Sequence, residues 1–181
     1  MNTILLLTGA PGIGKTTLIK RIAARLAGFP LAGFYTEEIR EDGRRVGFRL
    51  EDFVGGESGV IAHVGFPSFM RVGRYGVDVT AIDRLVGTAL SRSGEVYLID
   101  EIGKMECVSS VFVRCLELLL NEKKPLIATI AKQGGGFIQK VKRQPGIELW
   151  EVTLGNRDAL VEQVLTWLTE RGGRCDFACS G

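Results

Sequence analysis

Residues 9–16 constrain this chain more than any other segment, because GAPGIGKT matches the pattern GxxxxGK[ST] at every fixed position. Residues 3–8 before it form a short apolar run typical of a buried strand, and residues 15–27 after it carry apolar side chains at helical spacing. A glycine loop between a strand and a helix directs backbone N–H groups into one concave site, which the positive end of the helix dipole also faces. The segment therefore predicts a cradle for a triphosphate; the alternative is an ordinary glycine turn that matches by chance.

The same loop supplies individual candidates for binding and catalysis. Lys15 is predicted to reach the β- and γ-phosphates, and the Thr16 hydroxyl is predicted to ligate Mg²⁺. Lys15 also counts as catalytic, because phosphoryl transfer depends mostly on positioning and charge neutralisation. The predicted nucleotide-binding residues of this segment are Gly9, Ala10, Pro11, Gly12, Ile13, Gly14, Lys15, Thr16 and Thr17.

A second signal follows an apolar run in the middle of the chain, where residues 96–99 (VYLI) precede Asp100 and Glu101. A buried strand that ends in two acids presents carboxylates at the edge of a sheet. Asp100 is predicted to bind both nucleotide and Mg²⁺, opposite Thr16, and Glu101 is predicted to orient the attacking water or accept its proton. The alternatives are a strand-end cap for Asp100 and an ordinary loop acid for Glu101.

The residues just after this acid pair add three further candidates. Gly103 and Lys104 are predicted to lie beside the γ-phosphate, where Lys104 would neutralise charge. Glu106 competes with Glu101 as the water-orienting group. Solvated loop charge is an equally good interpretation of Lys104 and Glu106.

The order of apolar segments predicts an α/β fold with a mostly parallel sheet between helices. Because strand-to-helix loops of such a sheet emerge at one edge, the glycine loop, Asp100 and Thr129 are expected there together. Residues 33–77 form a β-rich excursion that contains an antiparallel hairpin turning at Asp42 and Gly43. Residues 1–170 are expected to form a single domain, followed by a flexible tail over residues 171–181.

Composition narrows the expected partners and location. With 23 basic and 21 acidic residues, the net charge of +2 predicts neither a nucleic acid nor an acidic membrane surface as partner. No charged leader precedes the first strand, and no apolar run approaches about 18 residues, so a soluble, cytoplasmic protein is expected. A monomer is favoured. The four cysteines show no CxxC spacing, so a zinc site is not expected.

Six segments together resemble one family. They are GxPGxGKTT at 9–17, GFYTEEIR at 33–40, VGFRLED at 46–52, VGRYGVDV at 72–79, DEIGKME at 100–106 and NRD at 156–158. With them the chain is similar to the small nucleoside-triphosphatase family that includes the cancer-related nucleoside-triphosphatase. The loop over residues 131–137, with its three glycines, departs from the family's usual sequence.

This resemblance implies a P-loop fold of the catalytic-glutamate, RecA/AAA-like type. It also implies Mg²⁺-dependent removal of the terminal phosphate from ATP, GTP and other nucleoside triphosphates, with weak base selectivity. Carried over by position, the implied phosphate contacts are Gly12, Gly14, Lys15, Thr16 and Thr17, and the implied hydrolytic residues are Asp100 and Glu101.

Several weaker candidates lie outside these motifs. A helix is predicted over residues 78–89, and Asp78 can cap its start. Arg71 and Arg74 flank a glycine before this helix, where either is a candidate cation for the transition state or simply a solvated side chain. Tyr75 and Trp150 are candidates to stack on a base, although a core position is the commoner interpretation. Residues 156–158 either lie beside a base or begin the last helix near residue 156 or 157.

Two other functions remain open at this level. A small-molecule or nucleotide kinase would share the loop and the metal but would need a pocket for a second substrate. A nucleotide-gated module that binds RNA or protein would use hydrolysis only as a timer, although the near-balanced charge argues against nucleic acid.

Overall fold

The computed structural model of the protein describes residues 3–171. Its strands are β1 (Ile4–Gly9), β2 (Leu31–Glu41), β3 (Arg44–Asp52), β4 (Ser58–His63), β5 (Arg71–Val72), β6 (Tyr75–Val77), β7 (Val96–Ile102), β8 (Leu126–Ala131) and β9 (Ile147–Val152). Its α-helices are α1 (Lys15–Arg25), α2 (Val79–Ser91), α3 (Ser110–Asn121), α4 (Phe137–Lys142) and α5 (Leu160–Arg171), and a short 3₁₀ helix covers Glu106–Val108.

All nine strands belong to one sheet, in the order β5-β6-β4-β3-β2-β7-β8-β1-β9. The strands from β2 to β9 in this order run parallel, and β8 lies between β1 and β7. The strands from β3 to β5 are antiparallel and extend the same sheet beyond β2. The predicted α/β fold is confirmed, and the β-rich excursion continues the parallel sheet instead of standing apart from it.

Helices cover both faces of the parallel strands. In β1, Ile4 and Leu6 belong to one buried cluster, whereas Leu5 and Leu7 belong to the other. The first cluster packs against α2, α3 and α4, and the second packs against α1 and α5. A strand buried on both faces needs apolar residues at consecutive positions, which explains the uninterrupted apolar run before the glycine loop.

The predicted hairpin turn lies between β2 and β3. Asp42 and Gly43 have φ angles of 48° and 74°, the pair of positive values that a two-residue type I′ turn requires. The strands it joins stay paired from Glu41 opposite Arg44 to Phe34 opposite Asp52. The Asp-Gly signal therefore identified both the turn and the antiparallel pairing.

Two helix starts show how side chains set element ends. Asp78 caps α2 by accepting a hydrogen bond from the Ala81 N–H at 2.9 Å, as predicted. The last helix begins later than predicted, at Leu160, because Asn156 is used elsewhere. Its side chain closes the turn after β9, accepting from the Thr153 N–H and donating to the Glu151 carbonyl, both at 2.8 Å.

The tail predicted over residues 171–181 lies almost wholly outside the described residues, as do Cys175 and Cys179. Within residues 3–171, none of the helices combines the length and the apolar character needed to cross a membrane.

Candidate active site

The carboxyl ends of β1, β7 and β8 meet at one edge of the sheet. Gly9 ends β1, and Asp100 and Thr129 lie near the ends of β7 and β8. Because β8 pairs in parallel with both neighbours, Thr129 sits between the glycine loop and the acid pair. The three features predicted to share an edge do so.

The glycine loop depends on glycine at specific positions. Gly12 and Gly14 have φ angles of 75° and 104°, which residues with a Cβ rarely adopt. Gly9 is needed for space, since a Cβ there would lie 2.7 Å from the Val152 carbonyl oxygen. These constraints let the backbone turn sharply between β1 and α1, with β9 packed close beside it.

Lys15 links the loop to the acid pair. Its Nζ donates to the Gly9 carbonyl at 3.3 Å and lies 3.7 Å from Oε1 of Glu101. The Lys15 side chain is only 11% exposed. The ammonium group therefore lies between two segments that are far apart in the chain.

Asp100 is buried with one carboxylate oxygen left unpaired. Its Oδ1 accepts a hydrogen bond from the Thr129 hydroxyl at 2.5 Å, whereas Oδ2 has no partner of normal geometry among the described residues. Burial raises the pKa of Asp100, and the Thr129 and Thr16 hydroxyls and the Lys15 charge oppose that rise. An unpaired buried oxygen close to Thr16 is a fitting ligand for a cation.

Glu101 is placed by an irregularity in β7. The register with β8 passes from Ile99 opposite Ala128 to Ile102 opposite Ile130, so β7 carries one extra residue at the acid pair. Such bulges redirect side chains near functional sites. Burial raises the pKa of Glu101, while the Lys15 charge opposes the rise and the Asp100 carboxyl adds to it.

Of the three candidates after the acid pair, Gly103 lies beside Glu101, since a Cβ on Gly103 would lie 3.7 Å from Oε2 of Glu101. Lys104 is exposed, and neither Lys104 nor the buried Gly103 lines the cavities described below. Glu106 is 5% exposed and packs against Gly103, where a Cβ would lie 2.8 Å from Oε2 of Glu106. Burial raises the pKa of Glu106 to about 8, although the backbone N–H groups of Glu106 and Gly103 donate to it.

The acid pair and the glycine loop face a cavity of about 630 Å³, which we call the main cavity. One side is formed by the loop and α1, and the other by β2 and β3. Its lining from the loop, α1 and β7 is Pro11, Gly12, Gly14, Lys15, Thr16, Thr17, Lys20, Asp100 and Glu101; its lining from β2 and β3 is Thr36, Glu37, Glu38, Arg40, Arg45 and Phe48.

The β2–β3 wall of the main cavity, which includes Arg45, was not among the site residues predicted from the sequence. Arg45 is held in place by its neighbours. Its Nε donates to the Tyr75 hydroxyl at 2.9 Å, and its Nη1 donates to Glu38 at 2.7 Å. Its guanidinium carbon also lies 5.1 Å from the centre of the Phe48 ring. The GFYTEEIR segment over residues 33–40 was a signal for this wall, since it contains Thr36, Glu37, Glu38 and Arg40. Arg45 lies outside all six segments that carry the resemblance.

Two smaller cavities flank the main cavity. The Glu101 side cavity, of about 390 Å³, is lined by Gly9, Ala10, Pro11, Lys15, Glu101, Ala131, Lys132 and Gln133. The Arg157 side cavity, of about 180 Å³, is lined by Gly14, Thr17, Leu18, Arg21, Arg157 and Asp158. The first therefore includes part of the loop after β8, and the second includes two residues of the NRD segment.

The weaker arginine and tyrosine candidates lie behind the cavity wall. Arg71 donates to the Arg74 carbonyl at 2.6 Å, and Arg74 donates to the Arg45 carbonyl. Neither arginine lines the main cavity. Tyr75 is 7% exposed, and its hydroxyl accepts from Arg45, so it supports the wall instead of presenting its ring to a base.

A glycine cradle after β1, an acid pair near the end of β7 and an intervening strand β8 define a P-loop fold. The family model described as NTPase matches residues 4–165. The chain belongs to this NTPase family.

Curated relatives and solved structures agree with this placement. The chain is 39% identical to nucleoside-triphosphatase THEP1 of Thermotoga petrophila, over 89% of this chain and 90% of that protein. It is similar to the crystal structure of THEP1 from Aquifex aeolicus, with a TM-score of 0.83 and 35% identity over 91% of this chain and 98% of that one. It is also similar to the solution structure of a human cancer-related nucleoside triphosphatase, with a TM-score of 0.79 and 33% identity over 92% of this chain and 97% of that one.

Proposed function

We propose that this protein hydrolyses nucleoside triphosphates, including ATP and GTP, to the diphosphate and orthophosphate. Relatives that share most of their length with this chain carry the name nucleoside-triphosphatase. The observation that carries the proposal most directly is the contact of Lys15 with Glu101, beside the buried Asp100. It gathers a phosphate-binding cation, a metal-binding carboxylate and a second carboxylate at one cavity.

The residues present fit Mg²⁺ as the cofactor. Mg²⁺ prefers oxygen ligands and is usually held by one or two carboxylates together with substrate phosphates and water. Oδ2 of Asp100 and the Thr16 hydroxyl are the protein ligands that we propose. No group of three or more His, Cys, Asp or Glu side chains suited to a metal occurs in the described range, so substrate oxygens would complete the site. When bound, Mg²⁺ would offset the charge on the phosphate oxygens.

Each protein group has a separate part in hydrolysis. Backbone N–H groups of the loop hold the phosphates, and Lys15 neutralises the β- and γ-phosphates. Glu101 accepts a proton from water while the water oxygen bonds to the γ-phosphorus and the bond to the bridging oxygen breaks. Arg45 adds positive charge from the opposite wall of the main cavity.

The raised pKa of Glu101 suits this role. A carboxylate with a raised pKa is a stronger base, provided that it remains ionised at the working pH. Lys15 keeps the ionised form accessible because it opposes the effect of burial. We propose Gly103, Lys104 and Glu106 as supports of this segment, with no direct contact to phosphate.

The decisive experiment compares orthophosphate release from ATP, GTP, CTP and UTP with Mg²⁺ and without any acceptor. We expect turnover of all four, loss of turnover when Mg²⁺ is chelated, and no release from the diphosphates. Transfer that requires an added acceptor would instead identify a kinase. Turnover that requires an RNA or protein partner would indicate a nucleotide-gated module. The expected cytoplasmic location and monomeric state stay predictions.

A further inference from the structure

The three cavities form a row along the glycine loop. The Glu101 side cavity shares Pro11, Lys15 and Glu101 with the main cavity, and the Arg157 side cavity shares Gly14 and Thr17 with it. If Lys15 holds the β- and γ-phosphates, the terminal phosphate lies at the Glu101 end of the row. The nucleoside then leaves the loop at the other end, beside Gly14 and Thr17.

Two arginines, Arg21 and Arg157, line the cavity at that end, and Arg157 is the one in contact with the glycine loop. Its Nη1 lies 3.4 Å from the Ile13 carbonyl oxygen, and it would lie 3.8 Å from a Cβ placed on Gly14. The guanidinium therefore rests against the start of α1, on the surface past which a nucleoside would extend. Guanidinium planes stack well on aromatic rings, including nucleobases.

The loop after β9 fixes this position of Arg157. Val152 pairs with Gly9, which brings the end of β9 against the glycine loop. Asn156 then ties the turn to β9 through its two side-chain hydrogen bonds, and the Arg157 N–H donates to the Thr153 carbonyl at 3.1 Å. The backbone on both sides of the arginine is thus held before any ligand arrives.

We propose that the Arg157 guanidinium is the stacking platform for the nucleobase, an inference that rests on the proposed hydrolysis of nucleoside triphosphates. Every base offers a π face, so stacking binds purines and pyrimidines alike. Reading a particular base requires free hydrogen-bonding groups at its edge, and the charged neighbours here are paired. Arg21 donates to Asp158 at 3.0 Å, which engages both side chains. A platform that binds the base by stacking alone would give weak base selectivity.

The test separates base binding from phosphate binding. KM for ATP, GTP, CTP and UTP is measured in Arg157→Ala, together with the inhibition constant of inorganic tripolyphosphate, which has phosphates but no base. We expect KM to rise about tenfold for all four nucleotides, with kcat and the tripolyphosphate constant changed by less than about twofold. Arg157→Lys, which keeps the charge but not the plane, should behave like Arg157→Ala. Arg143→Ala is the matched control, because Arg143 is exposed and lies outside all three cavities.

Other results would overturn the proposal and leave hydrolysis intact. An equal rise in KM and in the tripolyphosphate constant would make Arg157 a phosphate ligand. Unchanged KM values in Arg157→Ala, with raised KM values in Phe48→Ala, would move the base to the opposite wall of the main cavity. Absence of turnover in the unmodified protein, by contrast, would refute the proposed function itself.

Discussion

Nζ of Lys15 lies 3.7 Å from Oε1 of Glu101, so the first residue of α1 and an acid near the end of β7 form one charged pair. Both side chains also line the main cavity. A bound triphosphate would compete with Glu101 for the ammonium group. Release of Glu101 from Lys15 would leave the carboxylate free to act on water. The binding role of Lys15 and the hydrolytic role of Glu101 can therefore be tested by separate mutations.

Replacing Glu101 should stop turnover without preventing binding. Glu101→Gln keeps the size of the side chain but removes its ability to accept a proton. We expect kcat to fall by about a factor of 100 or more, with affinity for a fluorescent ATP analogue within about threefold of the unmodified protein. Full activity in Glu101→Gln together with its loss in Glu106→Gln would transfer the role to Glu106.

Replacing Lys15, by contrast, should weaken nucleotide binding. Lys15→Ala removes the cation that we assign to the β- and γ-phosphates, so we expect the same ATP analogue to bind about tenfold more weakly or worse. Lys123→Ala is the control, because Lys123 is exposed in the connection before β8, at the far edge of the sheet. Equal binding by the two variants would contradict the phosphate role of Lys15.

Arg45 provides a test of the cavity wall. Arg45→Ala should lower kcat by about tenfold to a hundredfold, because a positioned cation opposite the glycine loop is lost. Arg44→Ala is a close control, since Arg44 is its exposed neighbour and lies outside the main cavity. Thermal unfolding must be measured alongside, as Arg45 also binds Tyr75 and Glu38. A loss of stability with unchanged kcat would mean that Arg45 only stabilises the cavity wall and takes no part in catalysis.

Thr129 should affect Mg²⁺ binding through its hydrogen bond to Asp100. Thr129→Val removes the hydroxyl that donates to Oδ1 of Asp100. Because Oδ2 has no hydrogen-bond partner among the described residues, neither oxygen of that buried carboxylate would then have one. We expect about a tenfold higher Mg²⁺ concentration for half-maximal turnover. Thr129→Ser keeps the hydroxyl and should stay close to the unmodified protein. Similar Mg²⁺ dependence in both variants would argue against Asp100 as a ligand.

The raised pKa of Glu106 predicts how the stability of the folded protein depends on pH. Its folded pKa of about 8 exceeds the ordinary value of 4.5, so the folded state holds a proton that the unfolded state releases at lower pH. The contribution to stability is complete below pH 4.5 and is lost as the pH rises toward 8. Glu106→Gln mimics the protonated acid and has no such loss. Between pH 5 and pH 9, the melting temperature of Glu106→Gln should therefore rise relative to that of the unmodified protein. A difference in melting temperature that does not change with pH would contradict the raised pKa.

Local sequence signals predicted much of the fold and part of the site. The glycine loop, the Asp42–Gly43 turn and the capping Asp78 act within a few residues, so pattern alone was sufficient. Arg45 was missed because its position depends on Tyr75, which is 30 residues away in the chain. The predicted start of the last helix was wrong for a different reason, since Asn156 could either cap a helix or close a turn, and both interactions are local.

The strand β2 joins the two halves of the sheet, pairing with β7 from Leu31 to Phe34 and with β3 from Phe34 to Glu41. The β2–β3 wall of the main cavity thus belongs to the same hydrogen-bonded sheet as the strands that carry the glycine loop and the acid pair. Loosening of the hairpin by heat or denaturant should disturb Thr36, next to Asp100, in the same cooperative event. Amide exchange in the hairpin and the decay of enzymatic competence would then report a single opening transition.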